Sequence, residues 1–238
     1  MKINREIPAR KLRLLIFDLD GTLVDSRQDL GNSVNAMLRH FGRHELPLEV
    51  IGTYIGDGAP MLVRRALGDP KDEHFVHVAL QFFLDYYRKH KLDYTHVYDG
   101  VLEALRALSS TDTFPRKMAV LSNKPVGPSR AIVDALAMNP FFFQVYGGNS
   151  FETKKPDPFG ARMLLREANV EPSETVLIGD SDVDVLTAQN AGLYSVGCTY
   201  GLAPHTLEAA PPDVLVDSPY EWSELFTRKK LVKVLHQQ

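Results

Sequence analysis

The sequence predicts an α/β fold in which a parallel sheet is flanked by helices and an all-helical segment is inserted after the first strand. Three mostly apolar runs of strand length end abruptly in polar residues, as buried strands do where they open onto loops. These runs are residues 12–17, 117–121 and 175–178. Helical patterns separate the runs along the chain, and this alternation favours a parallel sheet.

The intervals between these runs contain further helices and shorter strands. Helical patterns are found at residues 101–108, 129–137, 158–168 and 183–191. Shorter strands are predicted at residues 144–146, 194–197 and 213–216. We expect residues 109–115 to form a surface loop.

One stretch, from about residue 25 to residue 97, shows helical periodicity and no convincing strand. Three patterns with apolar residues three and four apart lie at residues 27–41, 59–67 and 72–89, separated by Gly or Pro. We therefore predict a catalytic core formed by residues 1–24 and 98–238, and a helical domain formed by residues 25–97. The two connections between them should lie close together.

The composition is that of a globular protein with a small net charge. The 238 residues are 44% hydrophobic, and 27 Lys and Arg against 30 Asp and Glu give a net charge of -3. No global positive charge attracts nucleic acid or an anionic membrane, and residues 1–11 carry charges where a signal peptide needs an apolar stretch. We expect a cytoplasmic monomer or homodimer, with its one cysteine, Cys198, buried as packing.

Polar residues follow each of the three long apolar runs and one of the shorter predicted strands. They are Asp18 and Asp20 after the first run, Ser122 and Asn123 after the second, Asp180 and Asp184 after the third, and Lys155 after the strand at 144–146. The carboxyl ends of strands in an open parallel sheet face one crevice, where ligands bind. We therefore expect these side chains to converge.

Several carboxylates in one crevice repel each other and raise each other's pKa unless a cation is present. Magnesium prefers oxygen ligands and suits this set better than zinc, for which Cys or His is expected. A simpler interpretation of Asp180 and its neighbours is that they cap the start of a helix.

Asp18 and Asp20 are two residues apart, so in extended backbone their side chains point the same way. One carboxylate can attack phosphorus and the other can carry the proton. A metal ion and Lys155 would neutralise the phosphoryl group, while Ser122 and Asn123 donate hydrogen bonds to its oxygens. Taken alone, the Asp-x-Asp-Gly pattern is also compatible with a simple turn.

Four motifs, in this order, resemble those of the haloacid-dehalogenase-like superfamily, and the resemblance spans nearly the whole chain. They are FDLDGTLVDS at residues 17–26, SNK at 122–124, KPDP at 155–158 and GDSDVD at 179–184. The resemblance implies a Rossmann-like core with a mobile helical cap that closes over the site.

The same resemblance implies residue roles. Asp18 corresponds to the nucleophile and Asp20 to the general acid and base, while Ser122 and Lys155 hold phosphate. Superfamily members that act as dehalogenases or phosphonatases lack the second Asp, so Asp20 favours phosphate ester chemistry.

The resemblance also implies a magnesium site. Its expected ligands are Asp18, Asp20 and Asp180, with Asp184 supporting them from behind.

The cap sequence narrows the expected substrate, because residues 56–67 resemble the glycine-containing cap segment of phosphoglycolate phosphatases. Gly56 and Gly58 would let backbone amides approach the substrate, and Arg64 or Arg65 could meet a carboxylate. The alternative is a helix start with solvated arginines. The aromatic residues at 82–83 and 86–87 are expected to pack the cap's own helices.

Together these observations predict a magnesium-dependent phosphomonoester hydrolase with an aspartyl-phosphate intermediate, acting on 2-phosphoglycolate or a similar small anionic phosphomonoester. A phosphatase for a sugar phosphate, an amino-sugar phosphate or pyrophosphate remains open, as does a phosphoglucomutase-like phosphotransferase. A catalytically silent binding protein fits less well, because every catalytic position is occupied.

Overall fold

The computed structural model describes residues 1–110 and 116–227. Its main feature is a seven-stranded sheet whose strands, in spatial order, are β1 (Lys2–Ile3), β9 (Val214–Val216), β8 (Tyr194–Cys198), β7 (Thr175–Gly179), β2 (Leu14–Phe17), β5 (Lys117–Leu121) and β6 (Gln144–Tyr146). All neighbouring strands are parallel except β1, which runs antiparallel to β9. The predicted α/β class is confirmed, although the sequence analysis missed the two-residue edge strand β1.

Helices cover both faces of this sheet. They are α5 (Val101–Ser109), α6 (Val126–Ala135), α7 (Phe159–Ala168), α8 (Asp182–Ala191) and α9 (Tyr220–Thr227). All four residues of β2 are buried, with Phe17 in the apolar cluster on one face and Leu14 and Ile16 in the cluster on the other. Burial on both faces explains why this strand reads as a continuous apolar run.

Helix α9 was not predicted, yet it completes one face of the core. Its Trp222 is fully buried, and the ring centroid lies 5.3 Å from that of Phe17 on β2. The helix has only eight residues, too few for its period to stand out in the sequence.

Four helices lie between β3 (Val24–Asp25) and β4 (His96–Val97), and we call them the helical segment. They are α1 (Arg27–His40), α2 (Leu48–Gly52), α3 (Ala59–Ala66) and α4 (Glu73–His90), of which the five-residue α2 was not predicted. Their apolar side chains form a cluster separate from the two that pack against the sheet. The division of the chain into two domains at residues 25 and 97 stays a prediction.

The connections into and out of the helical segment run side by side. Strands β3 and β4 pair antiparallel, with Val24 opposite Val97. The buried carboxylate of Asp29 on α1 accepts hydrogen bonds from the backbone amides of Tyr94 and Thr95 and from the Thr95 hydroxyl. These contacts fix the start of α1 against the returning chain, beyond the end of β2.

Three other expectations concern single features. The loop predicted at residues 109–115 begins one residue too early, because Ser109 is the last residue of α5, and residues 111–115 lie outside the described part of the chain. Cys198 is fully buried, as expected of a packing residue. None of the helices in residues 1–110 and 116–227 combines the length and the apolar character that crossing a bilayer requires.

We predict that Trp222→Ala lowers the free energy of unfolding by about 3–5 kcal/mol, because it removes a large, fully buried side chain and leaves a cavity against Phe17. Urea unfolding followed by circular dichroism measures the change without relying on tryptophan fluorescence. Tyr94→Ala, at a side chain that is 61% exposed, is the control and should stay within about 0.5 kcal/mol of wild type. Equal losses in both variants would contradict the assignment of α9 to the core.

Candidate active site

Polar side chains gather where the central strands end. Asp18 follows β2 directly, Ser122 follows β5 and Asp180 follows β7. Because these three strands are adjacent and parallel, their carboxyl ends lie at one edge of the sheet. All three side chains line one cavity of about 50 Å³, which is room for roughly three to five water molecules.

Three carboxylates meet at this edge of the sheet, and two of them, Asp18 and Asp180, line the cavity. Asp18, Asp180 and Asp184 are all buried, and each offers an oxygen that lies within 4.8 Å of those of the other two. Burial raises the pKa of Asp180 to about 8, and the neighbouring Asp184 and Asp18 carboxylates add to this effect. Such a set is poorly compatible with three negative charges unless a cation shares the space.

Lys155 supplies one positive charge. Its Nζ lies 2.8 Å from Oδ1 of Asp18 and 2.6 Å from Oδ1 of Asp184. Burial lowers the pKa of Lys155, but attraction to the two carboxylates outweighs it and holds that pKa above its ordinary value. Burial likewise raises the pKa of Asp18 to about 6, an effect that Lys155 opposes. Lys155 is therefore a charged ammonium that favours ionised Asp18.

The Asp180 carboxylate is held by backbone. Its Oδ2 accepts hydrogen bonds from the amides of Leu202 (2.7 Å) and Ala203 (3.0 Å). Gly21 has φ of 86°, and a Cβ at that position would lie 2.1 Å from the same oxygen. Only glycine fits there, because the backbone is left-handed and the carboxylate fills the space of a side chain.

Asp184 has a second contact that agrees with the helix-capping interpretation. Its Oδ2 accepts hydrogen bonds from the amide and the hydroxyl of Ser181, the residue that precedes α8. Capping and membership of the carboxylate cluster therefore coexist, since one oxygen of Asp184 faces Ser181 and the other faces Lys155.

The Asp20 carboxylate lies apart from this cluster. Lys124 Nζ lies 2.9 and 2.8 Å from its two oxygens, and Ser26 Oγ donates a hydrogen bond of 2.5 Å. The structure thus does not bring the Asp20 carboxylate, an expected metal ligand, together with those of Asp18 and Asp180. It faces the same cavity from one side.

Lys124 was not among the predicted site residues, although it closes the SNK motif. It is buried and lines the cavity. Burial lowers the pKa of Lys124, but the attraction of Asp20 leaves that pKa above its ordinary value. The available signal was its position directly after the Ser-Asn pair at a strand end, where a lysine has little room to reach solvent.

Ser122 and Asn123 both lie in the cavity wall, but their contacts differ. The Ser122 hydroxyl oxygen accepts a hydrogen bond from the Lys124 amide. The Asn123 side-chain nitrogen donates to the carbonyl oxygens of Gly56 (3.1 Å) and Lys155 (3.0 Å). Asn123 therefore links the helical segment to the loop that carries Lys155.

The glycines of the predicted cap segment reach the cavity, whereas the arginines do not. Gly56 and Gly58 are lining residues, and a Cβ on Gly58 would come within 2.9 Å of the Asn123 carbonyl oxygen. Arg64 and Arg65 are absent from the lining. Arg64 forms ion pairs with Asp69 and Glu73, and Arg65 forms one with Asp57.

The remaining lining from the helical segment is mostly apolar, and it includes two of the aromatic residues expected only to pack its helices. Phe83 and Tyr87 belong to the apolar cluster of the helical segment, and both also line the cavity. The sequence analysis did not predict that Tyr87 lines the cavity, because its spacing from the other aromatic residues of α4 indicates only a residue that packs between helices.

Comparison with known proteins identifies relatives with known names. The model of the family described as haloacid dehalogenase-like hydrolase matches residues 15–198. A phosphoglycolate phosphatase of Pseudomonas putida is 38% identical over 220 residues, covering 88% of this chain and 78% of its own. One from Photobacterium profundum is 34% identical over 227 residues, covering 92% and 96%.

A solved structure agrees with this assignment. The crystal structure of a predicted phosphoglycolate phosphatase from Haemophilus somnus 129PT superimposes with a TM-score of 0.83 at 28% identity, covering 92% of this chain and 98% of its own. The match extends over the sheet and the helical segment alike. The chain therefore belongs to the haloacid dehalogenase-like hydrolase family, as a phosphatase similar to the phosphoglycolate phosphatases.

Proposed function

We propose that this protein hydrolyses 2-phosphoglycolate to glycolate and phosphate, with Mg²⁺ as cofactor and an aspartyl phosphate on Asp18 as intermediate. The observation that carries the proposal is the buried group of Asp18, Asp180 and Asp184 around Lys155, at the carboxyl ends of the central strands. The names of the relatives at 34–38% identity support the choice of substrate.

Asp18 acts as the nucleophile. One of its carboxylate oxygens bonds to phosphorus while the bond from phosphorus to the ester oxygen breaks, and glycolate leaves. Lys155, 2.8 Å from Asp18, favours the ionised carboxylate that this attack needs. In the second step a water oxygen attacks the same phosphorus, which releases phosphate and restores Asp18. Ser122 and Lys155 hold the phosphoryl oxygens.

Asp20 carries the proton in both steps. It gives a proton to the departing ester oxygen and later takes one from the attacking water. Its contacts with Lys124 and Ser26 hold its side chain at the wall of the cavity.

The donor set fits a hard divalent cation. Asp18, Asp180 and Asp184 offer only oxygen ligands, and the raised pKa of Asp180 reflects burial and repulsion that a cation would relieve. Asp18 and Asp180 would hold Mg²⁺, with Asp184 beside them. When bound, the ion supplies positive charge that neutralises the phosphoryl group during transfer.

The lining of the cavity favours a substrate with few hydroxyl groups. The side chains that the helical segment contributes to it are mostly apolar and offer few hydrogen-bonding partners to the ring of a sugar phosphate. 2-Phosphoglycolate has no hydroxyl group and suits such a lining.

We predict that Asp18→Asn lowers turnover of 2-phosphoglycolate by roughly 10³–10⁶-fold, because an amide cannot form the phosphoenzyme. Phosphate release at saturating substrate and Mg²⁺ measures the loss. Asp134→Asn, at an exposed carboxylate on α6, is the control and should keep wild-type turnover. Turnover retained by Asp18→Asn would exclude this residue as the nucleophile.

Removal of divalent cations with EDTA should stop phosphate release, and added Mg²⁺ should restore it. Because binding relieves repulsion among three buried carboxylates, Mg²⁺ should also raise the thermal midpoint, with about 2.7 kcal/mol of stabilisation at 100 times its Kd. Asp180→Asn should reduce that shift. An unchanged midpoint in wild-type protein, together with activity in EDTA, would contradict the proposed metal site.

A substrate panel separates the proposal from the other phosphotransfer functions. We expect kcat/KM for 2-phosphoglycolate to exceed those for glucose 6-phosphate, an amino-sugar phosphate and pyrophosphate by at least about tenfold. We also expect the phosphoenzyme to lose its phosphate to water without isomerising a sugar phosphate. A preference for another member of the panel would reassign the substrate, and isomerisation would indicate a mutase.

A further inference from the structure

Tyr87 is the one polar side chain that the helical segment contributes to the lining of the cavity. The other lining residues from that segment are Leu30, Ile55, Gly56, Gly58, Ala59, Leu62, Phe83 and Leu84. A substrate enclosed beneath these residues therefore meets a single polar side chain on that side.

The Tyr87 hydroxyl is buried without a partner. The residue is 2% exposed, and its Oη has no hydrogen bond to any residue that the structure describes. The Lys124 ammonium lies over the ring, 4.6 Å from its centroid, and its charge lowers the pKa of Tyr87 against the larger effect of burial.

Packing alone does not explain this hydroxyl. A buried polar group that lacks a partner destabilises the folded state, so phenylalanine would be the better residue if the ring only filled space. Phe83, one turn earlier on α4, stacks on the Tyr87 ring with centroids 5.9 Å apart. The surroundings thus already accept a plain aromatic ring, and the hydroxyl needs another reason.

The position of Tyr87 indicates which part of a substrate it faces. Lys124 Nζ lies 4.6 Å from the centroid of the Tyr87 ring and 2.8 Å from an Asp20 carboxylate oxygen, so Tyr87 lies on the Asp20 side of the cavity. Burial raises the pKa of the Tyr87 hydroxyl to about 12. It stays protonated at neutral pH and is a hydrogen-bond donor. In the proposed mechanism Asp20 stands at the departing ester oxygen, so the organic part of the substrate extends from there.

We propose that the Tyr87 hydroxyl donates a hydrogen bond to an oxygen of the substrate's organic part and thereby selects short phosphomonoesters that carry a carboxylate next to the ester carbon. The positive charge of Lys124 beside it favours an anionic acceptor over a neutral one. Arg64 and Arg65, whose charges are paired with carboxylates away from the cavity, are not needed for this recognition. The inference rests on the proposed phosphatase function and deepens its specificity.

The test compares 2-phosphoglycolate with ethyl phosphate, which has the same length but a methyl group in place of the carboxylate. In wild-type enzyme kcat/KM should favour 2-phosphoglycolate. Tyr87→Phe should reduce that preference by about 10- to 100-fold, mainly through a higher KM for 2-phosphoglycolate. Tyr86→Phe is the matched control, because Tyr86 precedes it on α4, stacks on Phe82 and His90, and does not line the cavity; it should keep the wild-type preference.

The thermal midpoint separates a role in recognition from a role in folding. Since the hydroxyl has no partner in the folded protein, Tyr87→Phe should unfold at the same temperature as wild type or a higher one. A lower midpoint with equal losses on both esters would overturn the inference in favour of a structural role. An unchanged preference in Tyr87→Phe would overturn it as well.

The wild-type rates report on the underlying function independently. Hydrolysis of both esters without a preference would overturn the role of Tyr87 while leaving the phosphatase function intact. Hydrolysis of neither ester would contradict the proposed function, and the proposed role of Tyr87 would then be excluded as well.

Discussion

Asp18, Asp180 and Asp184 hold their carboxylates within 4.8 Å of one another in a space from which solvent is nearly excluded. Like charges repel strongly there, so the surrounding structure has to supply compensation. Lys155 contributes an ammonium between two of the carboxylates, and the backbone amides after β8 donate to the third. The negative charge that these contacts leave uncompensated is the physical reason for the divalent cation in the proposed function.

The two aspartates of the first motif pair with different lysines. Lys155 faces Asp18, whereas Lys124 faces Asp20, so each carboxylate has its own partner at the same strand ends. This separation gives two neighbouring carboxylates different surroundings, which the proposed roles of nucleophile and proton carrier require. The helical segment closes the remaining side with apolar side chains and one tyrosine, so the proposed selectivity and the proposed phosphoryl transfer are assigned to different elements of the chain.

Much of the core was predictable because its signals are local. The central strands are buried on both faces and are therefore continuous apolar runs in the sequence. The polar residues that follow them predict the edge of the sheet at which ligands bind. The elements that were missed are short. Strands β1, β3 and β4 have two residues each, helix α2 has five and helix α9 has eight, and such lengths carry too little periodicity to be told from loops.

The sequence by itself determined the fold class, the convergence of Asp18, Ser122, Lys155 and Asp180, and the family, because residue type and spacing encode which side chains follow which strand. Only the tertiary structure decided which charges pair. It turned Asp20 toward Lys124, engaged Arg64 and Arg65 with carboxylates outside the cavity, and brought Tyr87 into the cavity wall. Pairing depends on distances between residues far apart in the chain, and no spacing along the sequence specifies those distances.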